Sequence, residues 1–305
     1  MNQTEIREEF ACFGATCAAA VMGEASGRDP AAAVALARSF LLDWHDRFTR
    51  FDPRSELSRL NRDPRALVPV SDSMARFAEA VVSAARHTGG LVDGTLLGEI
   101  EDAGYRTDLG APLPLERALA LAPTRRPAEP SPDRRWERIS VHRARKNVGR
   151  PPGLMLDSGG LAKGLAADLL VGLLGAHATF AIEAAGDVRV GGADGIPRPV
   201  QVTSPFDGAV LHKFWLTEAG VATSGIGRRS WLTEEGTPAH HLLDPATGKP
   251  AFTGVVQATA IAPTGLEAEV RAKAAVLSGP DAAERWLPDG GIIVLEDGSS
   301  RVLEP

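Results

Sequence analysis

The stretch LMLDSGGLAKGLAADLLVGLLGAHATFAIEAAGDVRVGG, residues 154–192, decides how this chain is assembled. An apolar run, Leu154–Leu156, ends at Asp157 and passes through Gly159-Gly160 into an apolar-periodic segment, Leu161–Leu174, that Gly175 stops. That pattern reads as strand, tight turn and helix. The period then shortens. Ala178–Glu183 and Val188–Val190 read as strands separated by a glycine turn. A helix that feeds consecutive short strands, with no further βα alternation, indicates an α+β fold with a mainly antiparallel or mixed sheet and flanking helices.

The same texture continues toward the C-terminus. Strands are expected at Val200–Thr203, Val210–Leu216, Gly220–Thr223, His240–Leu243 and Val255–Ala262, then a helix over Leu266–Leu277 and a hairpin of Gly291–Leu295 with Arg301–Leu303. Toward the N-terminus, Phe10–Val21 reads as one strand. Asp29-Pro30 opens a helix through Ala31–Phe48 whose inner face is Val34, Leu36, Phe40, Leu41, Trp44 and Phe48. Ser55–Asn61 forms a helical turn, Ser71 caps a helix over Met74–His87, Leu96–Ala103 forms a short helix, and Arg138–His142 a strand. Residues 122–136 carry four prolines and no apolar period, and read as a surface loop within a single domain spanning 1–305.

A net charge of −6 argues against a general nucleic-acid surface, and the arginines near 125 and 134–138 are interrupted by prolines and acids. Cys12 and Cys17 lack a second Cys/His pair, so buried thiols are expected rather than zinc. Neither a signal-peptide pattern nor an apolar run long enough to span a bilayer is visible, and the expected location is cytoplasmic.

Besides the turn at Ser158–Gly160, three loops carry candidate chemistry: Ile182–Gly192, a strand leaving through Gly186-Asp187 where glycine allows either close approach to a ligand or merely a turn, Val221–Trp231, a Thr-Ser-Gly turn followed by two arginines, and His240–Pro250. The turn at Ser158–Gly160 with Lys163 behind it is either an anion site at a helix start or simply a tight connection. Asp93 and Thr95 in GGLVDGTLL form either a turn or a cleft-facing carboxylate. Ser224, His241 and Asp244 are the residue types of an acyl-transfer triad, but Ala222 stands where a nucleophile elbow needs glycine. His241, in HHLLDPATGKP, is better suited as a general acid or base, the alternative being a hydrogen bond to its own loop.

Taken together, SELSRLN (55–61), LDSGGLAKGLAAD (156–168), TSG (223–225) with HHLLDPATGKP (240–250), and ATAIAPTGLEAEVRAKAAVLSG (258–279) resemble the ApbE family of FAD:protein FMN transferases. The resemblance runs from FGAT at 13–16 to the last helix. It implies a T-fold-like architecture, FAD as donor substrate, and transfer of FMN to a Ser or Thr hydroxyl of an acceptor flavoprotein with release of AMP. Hydrolysis of FAD to FMN and AMP, and FAD binding without turnover, are the alternatives.

By the same resemblance His241 matches the family's base. Phe13, Phe51, Leu91, Val92, Asp93, Asp157, Lys163 and Leu243 match flavin-nucleotide contacts, with Phe13 where the family often has Met and Phe51 where it often has Tyr. The family's Mg²⁺ ligands are a carbonyl matching Gly160 and Asp and Thr side chains whose positions here are Glu269 and Lys273. Glutamate can ligate magnesium, whereas an ammonium has no lone pair to give. Either Lys273 takes the cation's place on the pyrophosphate, which is the reading favoured, or it points away and Mg²⁺ uses Glu269, Gly160 and water. Two further departures are Gly94 for a proline and Ala185 for the first glycine of a GGD pattern.

Overall fold

The structure is a computed structural model that describes residues 4–25, 27–107 and 110–305. The chain opens with a hairpin, β1 (Ile6–Cys12) and β2 (Ala15–Met22), rather than the single strand expected over Phe10–Val21. Phe13 and Gly14 form its turn with φ of 56° and 72°. Two left-handed residues in a two-residue loop match the twist of the flanking strands, and nothing about a phenylalanine announces such a turn.

Helix α1 (Pro30–Phe48) starts where Asp29 accepts a hydrogen bond from the Ala31 N–H and Pro30 presets φ. Its buried face holds Val34, Leu41, Trp44 and Phe48, while Leu36 is exposed. Helix α2 (Glu56–Arg62) is capped by Ser55 and α3 (Asp72–His87) by Ser71. Two short helices follow, α4 (Leu97–Asp102) and α5 (Leu115–Leu121), and then α6 (Ala162–Leu174).

Residues Leu154–Leu156 do not join a sheet; the strand that precedes them is Asn147–Gly149. The Asn61 side chain supplies what a neighbouring strand would. Its Nδ2 donates to the Leu156 carbonyl at 2.9 Å and its Oδ1 accepts from the Leu156 N–H at 2.8 Å. The apolar run is an irregular segment, half-buried at Leu154 and Met155 and buried at Leu156, where one side chain pins it.

The remaining main strands are β3 (Thr179–Ala184), β4 (Asp187–Gly191), β5 (Ala219–Gly225), β6 (Val255–Ala262), β7 (Gly291–Leu295) and β8 (Ser300–Leu303), with α7 (Gly265–Ser278) between β6 and β7. Together with β1 and β2 they form an eight-stranded sheet whose spatial order is its chain order. Every neighbouring pair is antiparallel. The expected strand His240–Leu243 is instead two short pieces, Pro238–His240 and Leu243–Asp244.

Helix α6 packs against both α1 and α7, and all three lie on the sheet, α1 over β1 and β2, α6 over β3 and β4, α7 over β5 and β6. The core lies between, with Trp44, Phe48, Phe77 and Phe180 almost fully buried. Cys12 and Cys17 are free thiols within it. Residues 122–136 are tied down: Arg126 N–H donates to Phe252 O, Ala128 N–H to Leu277 O and Glu129 N–H to the Asp244 carboxylate. No helix among the described residues is long and apolar enough to cross a membrane.

Candidate active site

Where α6 and α7 begin, the backbones come closer than side chains allow. A Cβ on Gly164 would lie 2.3 Å from the Gly265 carbonyl oxygen, and one on Gly220 would lie 2.3 Å from that of Thr264. One turn further along α6, Asp168 accepts from the N–H groups of Gly265 and Leu266 at 2.7 and 2.9 Å, capping α7. The spacing K-G-x-x-x-D in α6 therefore puts a lysine beside a helix contact and a carboxylate on the next helix's N-terminus. SELSRLN works in the same way. Ser55 caps α2, Glu56 accepts from the Ser71 N–H and hydroxyl at 2.7 and 2.8 Å, and Asn61 pins Leu156.

These contacts frame a cavity of about 530 Å³. Phe13, Phe51, Leu91, Asp93, Asp157 and Lys163 line it, as do His241, Leu243 and Lys273. Val92, Gly160 and Glu269 do not line it. Val92 is buried in the core, and Glu269 is buried beneath Lys163.

Lys163 reaches across to the Asp187 carboxylate, and its ammonium is 3.6 Å from Glu269 Oε1. Burial alone would lower the Lys163 pKa, but the charges of Asp187 and Glu269 outweigh it and raise it. Glu269 Oε2 also accepts from the Gly164 N–H at 2.7 Å. Burial pushes its carboxyl up to about 8, against the pull of Lys163. Asp187 in turn accepts from the Thr223 N–H at 3.1 Å, which ties TSG to this cluster.

Lys273 is placed differently. Its Nζ occupies the space beside Gly160, 1.4 Å from where a Cβ on that residue would stand. Burial lowers its pKa, and the nearby charges of Asp157 and Glu269 only partly oppose this. His241 faces the same space. Burial first, then the charges of Arg229 and Lys273, hold its imidazole well below the ordinary range. Its Nδ1 has no hydrogen-bond partner among the described residues. Asp244 is not that partner, because its carboxylate accepts from Glu129 N–H, Ala246 N–H and the Thr247 hydroxyl. The Ser/His/Asp triad is therefore not assembled. His240 is fully packed, edge-on to Phe252, and burial takes it down to about 3.

Asp93 serves both of its possible roles. Its Oδ1 accepts from the Thr95 N–H and hydroxyl at 2.8 and 2.7 Å, closing a turn. Its Oδ2 is buried without a partner among the described residues, and burial raises its pKa. The turn is firm despite Gly94. The Gly94 carbonyl accepts from Asp157 N–H at 2.9 Å, and Val81 fills the space a Cβ would need.

The residues missing from the sequence reading are Arg50 and Tyr105, which line the cavity; Arg229, which also lines it, and Asp187, which anchors Lys163, stand in candidate loops there without a role. Arg229 and Asp187 follow turns whose glycines are visible in the sequence. Arg50 and Tyr105 carry no such signal.

Residues 13–295 match the family model described as the ApbE family. The chain belongs to the ApbE family. A FAD:protein FMN transferase of Treponema pallidum is 30% identical over 266 residues, which are 76% of this chain and 70% of that protein. One from Haemophilus influenzae is 24% identical over 80% of this chain and 72% of its own length. The fold agrees with solved ApbE structures. The Thermotoga maritima ApbE protein superposes with a TM-score of 0.75 at 24% identity, over 99% of this chain and 97% of its own. The Pseudomonas stutzeri flavinyl transferase ApbE gives 0.76 at 19% identity, over 98% and 95%.

Proposed function

We propose that this protein transfers FMN from FAD to a Ser or Thr hydroxyl of an acceptor flavoprotein and releases AMP. The observation that carries the reading is the placement of a neutral imidazole, His241, next to a cation without a close ion pair among the described residues, Lys273, in a cavity of about 530 Å³. The acceptor hydroxyl attacks the FMN-side phosphorus. An O–P bond forms, the bond from that phosphorus to the bridging oxygen breaks, and AMP leaves with the electron pair. His241 takes the hydroxyl proton, which requires it to be unprotonated beforehand, as its surroundings keep it. The Lys273 ammonium and Arg229 stabilise charge gathering on the phosphate oxygens, a role that depends on fixed cations in a site screened from water.

We read Lys273 as filling, beside Gly160, the place a divalent cation would need. The residues at that point do not fit magnesium: an ammonium offers no lone pair, and the Glu269 carboxyl is already engaged by Gly164 N–H and Lys163. Lys163 is the anchor of the pair, locked to Asp187, and holds the start of α6 in place beneath the phosphates. Phe13 at the hairpin tip, set edge-on to His45 with ring centroids 5.5 Å apart, and the half-exposed Phe51 offer ring surfaces to the nucleotide.

The test mixes protein, FAD and a candidate acceptor and follows in-gel flavin fluorescence on the acceptor together with AMP in solution. Labelled acceptor with equimolar AMP is expected. AMP without label would make the protein a FAD hydrolase, and FAD binding with neither product would make it a binding protein.

A further inference from the structure

The geometry points to Arg50 as a specificity-determining residue that grips the isoalloxazine ring of the dinucleotide by its carbonyl edge, an inference that rests on FAD being the substrate. The Arg50 side chain is only 8% exposed, yet lines the cavity. Its guanidinium carbon lies 4.4 Å from the Phe51 ring centroid and 4.3 Å from that of Tyr105. Its Nη1 and Nη2 are buried and have no hydrogen-bond partner among the described residues. Among the described residues the one carboxylate oxygen paired with it, Glu101 Oε1, is 3.8 Å from Nη1, beyond hydrogen-bond reach. Burying a charged group whose donors are unmade is costly, and a ligand bringing acceptors to that edge removes the cost.

The edge of a guanidinium carries parallel N–H donors, so its complement is a pair of adjacent acceptors. Adenine does not offer one. Its edges set a donor beside an acceptor, a pattern that suits an amide side chain, whereas arginine pairs with a carbonyl oxygen next to a ring nitrogen. The pyrimidine end of isoalloxazine presents that carbonyl–nitrogen pair. A pyrophosphate also offers paired acceptors, but the cavity has another place for it. The main positive charges acting on His241 and Lys273 are Arg229 and the two lysines, and Arg50 is not among them. Arg50 belongs to the aromatic wall, where Tyr105 packs with Leu96, Ile100 and Leu243 and the half-exposed Phe51 leaves a ring face free for stacking.

The test compares wild type, Arg50→Gln and Arg50→Lys for binding of FAD and of ADP by calorimetry, and records the visible flavin absorption band at saturation. Both variants are expected to bind FAD at least ~10-fold more weakly, the lower end of what a charge-assisted hydrogen bond contributes. ADP affinity should stay within ~2-fold, which also certifies the fold. The bound flavin band should shift in wild type and stay at its free position in the variants. Three results would overturn the assignment: equal loss for ADP and FAD, full recovery of FAD affinity by lysine, or a wild-type flavin spectrum in saturated Arg50→Gln. A wild type that binds no FAD would refute the proposed function itself, before Arg50 is reached.

Discussion

Helices α6 and α7 each send one lysine to the cavity, Lys163 from the first turn of α6 and Lys273 from the middle of α7, and the two lysines live in opposite surroundings. Lys163, from α6, sits on Asp187 and within 3.6 Å of Glu269, and its charge is raised in stability by them. Lys273, from α7, lies against Gly160 without an ion pair inside 4 Å among the described residues, and burial depresses it. The contrast separates scaffold from chemistry. A buried ammonium that is already neutralised holds two carboxylates in place, whereas one that is not is available to an incoming phosphate.

The sharpest way to break this comparison is through the base that shares the space of Lys273. His241→Ala should lower the FMN transfer rate by about 10²–10⁴-fold with the melting temperature unchanged; native-rate transfer would remove His241 from the base role. Exchanging each lysine for methionine should then give opposite readouts. Lys273→Met should cost about 10²-fold or more in transfer and leave denaturant stability equal or higher, because a desolvated charge is removed. Lys163→Met should instead cost about 3–5 kcal/mol of unfolding free energy, because the Asp187 carboxylate stays buried without its counter-ion. If both variants lose stability alike, the division of labour fails.

The pH dependence sharpens the same contrast. Glu269 is held up to about 8 in the folded state, above its unfolded value. A raised carboxyl favours the folded form while protonated, so this contribution is full below pH ~4.3 and is lost as pH rises toward the folded value. The melting temperature should therefore decline across that window, and Glu269→Gln should flatten the decline. The smallest effect lies outside the site. Ala185 takes a φ of 54° in the β3–β4 turn, where a Cβ is strained. Ala185→Gly should stabilise the protein by about 1 kcal/mol, read from the denaturant midpoint at constant slope.

Much of the scaffold was legible in the sequence because its signals are local. Asp29-Pro30, Ser55, Ser71 and Gly175 mark helix ends by side-chain chemistry that acts within one turn. The misreadings arise where the decisive partner is distant or the turn residue atypical. The Phe13-Gly14 hairpin hid because phenylalanine is a poor left-handed residue, and Leu154–Leu156 read as a strand because Asn61, far back in the chain, makes its hydrogen bonds. The site follows the same division. His241, Lys163 and Lys273 stand in motifs, but their opposite surroundings depend on Asp187, Arg229 and Gly160, which only the tertiary contacts bring together. Arg50 was invisible because an arginine before an aromatic residue reads as surface, and only the fold closes Tyr105 over it.

The central claim is that this cavity transfers FMN with Lys273 as its phosphate-side cation. The most direct measurement is FMN transfer by protein stripped of divalent metal and assayed in EDTA, with acceptor labelling and AMP followed together. Labelled acceptor and equimolar AMP at the undiminished rate are the predicted result. Transfer abolished by EDTA and restored by Mg²⁺ would contradict it.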